Sequence, residues 1–117
     1  MPLVPMSRLL AHAKSQRYGV AAFNFVDYAS LWAMVKAAEG LQAPVIAQVS
    51  TKTVKLWGHR PIAAWARAIA AETTVPFALH VDHCSDLKFI QQCIARAFAR
   101  NPIVGLRPAL SLLLSGA

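Results

Sequence analysis

An apolar run, "PFALHV", ends in Asp82, His83 and Cys84, with His80 two positions before the aspartate. Three groups that exchange protons or hold cations therefore follow directly on a hydrophobic segment. Two readings fit: a strand ending at the surface with locally bonded histidines, or a metal and proton-transfer site at a strand tip. Imidazole is a good ligand for Zn2+, and a carboxylate beside it can act as general acid or base on a metal-held substrate. In extended backbone His80 and Asp82 share a face and His83 points the other way, until the chain turns toward the next element. A catalytic zinc normally takes three protein ligands. The remaining histidines, His12 and His59, fall in helical or loop contexts, so spacing alone leaves both readings open. Cys84 is expected to be structural.

The segments that must position these groups alternate in period. Ser7 is placed to cap a helix through Gln16, with Leu9, Leu10 and Ala13 on one face. "GVAAF" reads as a short buried strand ending at Asn24. "DYASLWAMVKAAEGLQ" follows, with Leu31, Val35 and Ala38 at helical spacing and Gly40 near its end. "PVIAQV" is a β-branched run bounded by Pro44 and Ser50, hence a second strand. "IAAWARAIAAE" is helical, with Ile62, Trp65 and Ile69 on one face. After the third strand, "PFALHV", Ser85 and Asp86 offer helix-start chemistry for "LKFIQQCIARAF". A helix followed by three strand–helix units predicts an α/β fold with parallel strands joined through helices. Asn and Ser are each ordinary turn residues. Here Asn24, Ser50 and the Asp82–His83 pair close three successive strands, and in parallel α/β folds those ends share one functional rim.

Composition narrows the alternatives. The chain has 117 residues, 56% hydrophobic and 15% charged, which suits one domain with a core and carries no disorder signature. The net charge of +7 raises nucleic acid as a partner, yet the twelve Lys and Arg are scattered without a run, so none is expected. The same balance serves an anionic small substrate. Cys84 and Cys93 form no CxxC pair and no disulfide framework. The N-terminal residues lack the pattern of a signal peptide, and no apolar stretch approaches the ~18 residues of a membrane span. A cytoplasmic location is expected.

"YGVAAFNF", "APVIAQVS" and "PFALHVDHC" resemble, in order and spacing, the N-terminal portion of the class II, zinc-dependent ketose-bisphosphate aldolases, the fructose- and tagatose-bisphosphate aldolase family. The resemblance covers residues 5–93. It implies the first three to four β-α units of a TIM (β/α)8 barrel, preceded by a helix. It also implies reversible aldol cleavage of a ketose bisphosphate to dihydroxyacetone phosphate and an aldehyde such as glyceraldehyde 3-phosphate. By the resemblance His83 matches a zinc ligand, and Asp82 matches the acid/base that serves the hydroxyl destined to become the aldehyde oxygen. Asn24 and Ser50 match residues lining the pocket for the phosphorylated sugar, and His80 is assigned no more than a supporting role. The other zinc ligands, a later acidic residue and the glycine-rich phosphate loops lie beyond the matching segment.

A complete barrel needs about 250 residues, so an incomplete one is expected, prone to self-association through uncovered edges and apolar faces. Where the family continues with glycine, a strand and an Asp-Gly-Ser element, this chain reads "ARNPIVGLRPALSLLLSGA". No acidic residue follows Asp86, and the composition resembles out-of-frame translation of GC-rich DNA. The expectation is an aldolase-like segment over 1–93 and a divergent tail over 94–117 that begins at a shift of reading frame. Such a chain would be an aldolase by descent with little activity alone. The alternative is a non-catalytic α/β module that binds a sugar phosphate or another protein.

Overall fold

The computed structural model describes residues 3–82 and 86–93. The elements follow one another as α1 (Met6–Gln16), β1 (Ala21–Asn24), α2 (Tyr28–Leu41), β2 (Val45–Ser50), α3 (Thr51–Trp57), α4 (His59–Glu72), β3 (Phe77–Asp82) and α5 (Leu87–Cys93). The three strands form one parallel sheet in the order β1-β2-β3. This is the architecture of the first part of a TIM barrel, as expected.

Strand periodicity divides the sheet into two unlike faces. Val45, Ala47 and Val49 of β2, with Phe77, Leu79 and Val81 of β3, are buried in one cluster with α2, α3 and α4. From α2 that cluster takes Leu31, Val35 and Ala38, the residues whose spacing marked the helix. From α4 it takes Ile62, Ala63, Ala66 and Ile69, while Trp65 packs at its margin. Each large apolar side chain so buried contributes about 1.5–3 kcal/mol. Among the described residues the opposite face is covered at its N-terminal end, where Met6 and Leu9 of α1 pack with Val4 on Ile46 and Ala78. The chain before α1 is tied there as well: Leu3 bridges to Phe77, and the Val4 N–H donates to the Phe77 carbonyl at 2.9 Å.

Local differences from the sequence-based expectation have local causes. Pro5, not Ser7, is the N-cap of α1, and its φ of −61° leads into the helix without a side-chain cap. The buried stripe of α1 is Met6, Leu9 and Ala13, which leaves Leu10 exposed. α2 runs past Gly40 and ends at Gln42, which takes the left-handed conformation itself. α3 was not expected at all. Its sequence, "TKTVKLW", contains three β-branched residues that disfavour a helix, but Ser50 caps it and Val54 anchors it in the core at 0% exposure. α4 starts three residues earlier than Ile62, with Pro61 in the first turn, where no N–H is required.

Gly58 separates α3 from α4 at φ 95°, ψ 156°, a region essentially reserved for glycine. A Cβ there would meet Pro61 Cδ at an ordinary 3.5 Å, so space is not the constraint. Gly58→Ala is expected to destabilise the fold by about 1–3 kcal/mol through backbone strain, read as a lowered urea midpoint with an unchanged slope.

Candidate functional site

The less covered face of the sheet carries a graded series of side chains. Nearest α1 are Ala22, Ile46 and Ala78, at matching positions on the three strands. Two residues further on, Asn24, Gln48 and His80 stand in register. The next same-face level, at the C-terminal ends, holds Ser50 opposite Asp82. Adjacent parallel strands therefore bring Ser50 and Asp82 abreast, as expected, but Asn24 sits one level lower. There its Oδ1 accepts a hydrogen bond from Gln48 Nε2 at 3.1 Å. Gln48 was not singled out in the sequence; its signal is the alternation in "VIAQVS", which sets it on the same face as Ser50.

The loops leaving β1 and β2 are held by their own helices. Asp27 caps α2 by accepting the Ser30 N–H at 2.7 Å, and Ser30 Oγ accepts the Asp27 N–H in return at 3.2 Å. Ser50 Oγ accepts the Thr53 N–H at 3.2 Å and lies 3.1 Å from Thr53 Oγ1. The Ser50 hydroxyl thus starts α3 from the last residue of β2. At the far end of α3, Trp57 Nε1–H donates to the Val26 carbonyl at 2.7 Å, joining the β2 side of the rim to the β1–α2 loop. At the start of α5, Asp86 Oδ1 accepts the Phe89 N–H at 3.2 Å, as its helix-start chemistry suggested. Ser85, the other helix-start residue, lies outside the described residues.

His80 is partly buried, and its Nδ1 has no hydrogen-bond partner among the described residues. Burial pushes its imidazole below the ordinary value of 6.5, while the Asp82 carboxylate pulls it partly back. A depressed imidazole pKa means that the folded state prefers neutral His80. Its contribution to stability is therefore present above about pH 6.5 and is lost as pH falls. Asp27 and Glu39 are also held below their ordinary values, by hydrogen bonds to the Ser30 backbone and to Thr73 respectively, and so act only at more acid pH. The urea midpoint is expected to fall between pH 7 and pH 5, and His80→Gln is expected to flatten that window while leaving the slope below pH 4 in place.

The expected zinc ligand His83, and Cys84 beside it, lie outside the described residues. Among the described residues no group of three His, Cys, Asp or Glu side chains is arranged to hold a metal ion. His12 of α1 pairs with Tyr18, just past the end of that helix, and His59 lies against the Phe89 ring at 5.3 Å between centroids, so neither belongs with His80. The described residues alone do not fit a zinc centre.

A parallel sheet that sets Ser50 beside Asp82 above a row of Asn24, Gln48 and His80 belongs to a chain with known relatives. The family model for class II fructose-bisphosphate aldolase matches residues 4–100, and the chain belongs to that family. It is 38% identical over 108 residues to the 6-phospho-5-dehydro-2-deoxy-D-gluconate aldolase of Bacillus velezensis, covering 90% of this chain and 37% of that protein. To the fructose-bisphosphate aldolase of Thermus caldophilus it is 33% identical over 96 residues, covering 82% of this chain and 31% of the relative. Among solved structures, the YdjI aldolase from Escherichia coli K12 superposes with a TM-score of 0.68 at 26% identity, over 77% of this chain and 35% of that one. The chain thus spans about a third of the length of the curated relatives it matches. No helix among the described residues is long and apolar enough to cross a membrane.

Proposed function

We propose that this chain carries the first strand ends of an aldolase site that cleaves a phosphorylated ketose reversibly to dihydroxyacetone phosphate and an aldehyde. The observation that carries this reading is the register of Ser50 with Asp82 at the C-terminal ends of adjacent parallel strands, above a polar row that includes Asn24. Asp82 accepts the proton of the substrate hydroxyl as the carbon–carbon bond breaks and returns it in the reverse direction. Asn24 and Ser50 hydrogen-bond the sugar phosphate. His83 is assigned as one ligand of the Zn2+ that the family uses. A single imidazole does not hold the ion, so the rest of the zinc site is assigned to the part of the family's length that this chain does not span.

The direct test is a graft. Residues 4–93, and separately 4–100, replace the corresponding segment of a full-length class II fructose-bisphosphate aldolase. Cleavage of a ketose bisphosphate in a coupled assay with added zinc is expected for a folded graft. Absence of turnover on fructose or tagatose bisphosphate in both grafts, each folded and zinc-loaded, would overturn the reading. The two lengths also test the proposed boundary at residue 93, since activity confined to the longer graft would move it. A second reading, a non-catalytic module that binds sugar phosphate, is favoured by the lack of a three-ligand group among the described residues. It predicts that the 117-residue chain binds dihydroxyacetone phosphate without cleaving the bisphosphate.

Self-association is proposed for the chain by itself. The strand expected to be buried in "GVAAF" is instead the edge strand β1, with all four residues exposed and Phe23 at 59%, because no strand among the described residues pairs on its outer side; such an edge invites pairing with another chain. Sedimentation is expected to show dimers or larger species; a cooperatively melting monomer would refute this.

A further inference from the structure

A groove of about 830 Å3 opens at the N-terminal ends of the strands, opposite the rim that carries Ser50 and Asp82. Small-molecule sites typically occupy about 300–1,000 Å3. Val4, Leu9, Pro44 and Pro76 form apolar walls. Arg8 and His12 line it one helical turn apart on α1, so they share a flank of that helix. Tyr18 completes this side: its hydroxyl lies 2.6 Å from His12 Nδ1. Gln42 and Thr74 supply an amide and a hydroxyl from the connections into β2 and β3. No carboxylate is among the lining residues, and the chain carries a net charge of +7.

The backbone around the groove is held in an unusual way. Among the described residues, Arg17 and Gln42 are the two non-glycine residues with positive φ, at 58° and 50°. Such a conformation is disfavoured for a residue with a Cβ. Gln42 lines this groove, and Arg17 directly precedes Tyr18, which lines it too. Arg17 reverses the chain after α1, so that the Tyr18 N–H donates to the Ala13 carbonyl at 3.0 Å and the ring returns to His12. Gln42 ends α2 in the same manner, with the Ala43 N–H donating to the Ala38 carbonyl at 3.0 Å. Glycine would make either turn freely. At position 42 it would also delete the amide that lines the groove.

We propose that this groove is a second ligand site, for a small organic anion with an apolar body. The anionic group sits against Arg8 and the His12–Tyr18 pair, and the apolar body lies between Leu9 and the two prolines. The site is separate from the strand-end rim and does not depend on the aldolase reading.

Isothermal titration of the full chain with phenyl phosphate, and in parallel with inorganic phosphate, tests it. Phenyl phosphate is expected to bind saturably at one site per chain, with inorganic phosphate at least tenfold weaker because it lacks the apolar body. Arg8→Ala should weaken phenyl phosphate at least tenfold. Gln42→Gly, which keeps the turn, should weaken it at least threefold, and circular dichroism verifies that both variants fold. Gln48→Ala, at the other end of the strands, should leave the affinity within twofold. Absence of saturable binding would overturn the proposal, as would equal affinity for the two anions or undiminished binding by Arg8→Ala. Loss of binding in Gln48→Ala would move the ligand to the rim and overturn it too.

Discussion

Asp82→Asn, introduced into the active graft, is expected to lower kcat for aldol cleavage by about 100- to 10,000-fold, the usual contribution of a positioned acid or base. Asparagine has nearly the same size as aspartate and keeps hydrogen-bonding capacity, but it cannot take up the hydroxyl proton. The fold should tolerate the change, because Asp82 belongs to the polar face of β3 while its neighbour Val81 is buried in the core. KM should change little and zinc content should be that of the parent graft. His83→Ala should behave differently, losing zinc together with activity. A fall in kcat of less than tenfold for Asp82→Asn would remove Asp82 from the proton-transfer role.

The second large effect concerns stability. Phe77→Ala is expected to cost about 3–5 kcal/mol, the range for truncating a buried aromatic residue. Phe77 is at 0% exposure where β3 begins. Its backbone also receives the segment before α1, through the bridge to Leu3 and the bond from the Val4 N–H. Domains have only about 5–15 kcal/mol in total, so the variant should lose most or all of its cooperative urea transition in far-ultraviolet circular dichroism. Phe23→Ala supplies the comparison. It removes the same side chain from a position that is 59% exposed on β1, and its stability should change by no more than about 0.5 kcal/mol. Equal effects for the two substitutions would contradict the division of the sheet into a covered and an open edge.

These contrasts also explain what was legible in the sequence. α2 was plain because capping and periodicity agree: Asp27 before the helix, then Leu31, Val35 and Ala38 all turned to the core. α3 was hidden because Thr51, Thr53 and Val54 carry strand preference, and the cap that overrides it is a residue already claimed as a strand end. The strand ends themselves could be read from composition and alternation. Their relative heights could not, since register depends on the partner strand rather than on either sequence alone. Gln48 escaped notice for a related reason. It ends no strand, and it becomes part of the candidate site only when Asn24 on one side and His80 on the other fall level with it.

That difference in height shapes what the rim can hold. Asn24 stands two residues below the level of Ser50 and Asp82, which along a parallel strand is a rise of about 6.6 Å. The floor between them is therefore a stair, climbing from the amide of β1 to the carboxylate of β3. A ligand that touches both must lie aslant across the strands with its length uncoiled. A compact molecule resting flat on either step would miss the groups of the other.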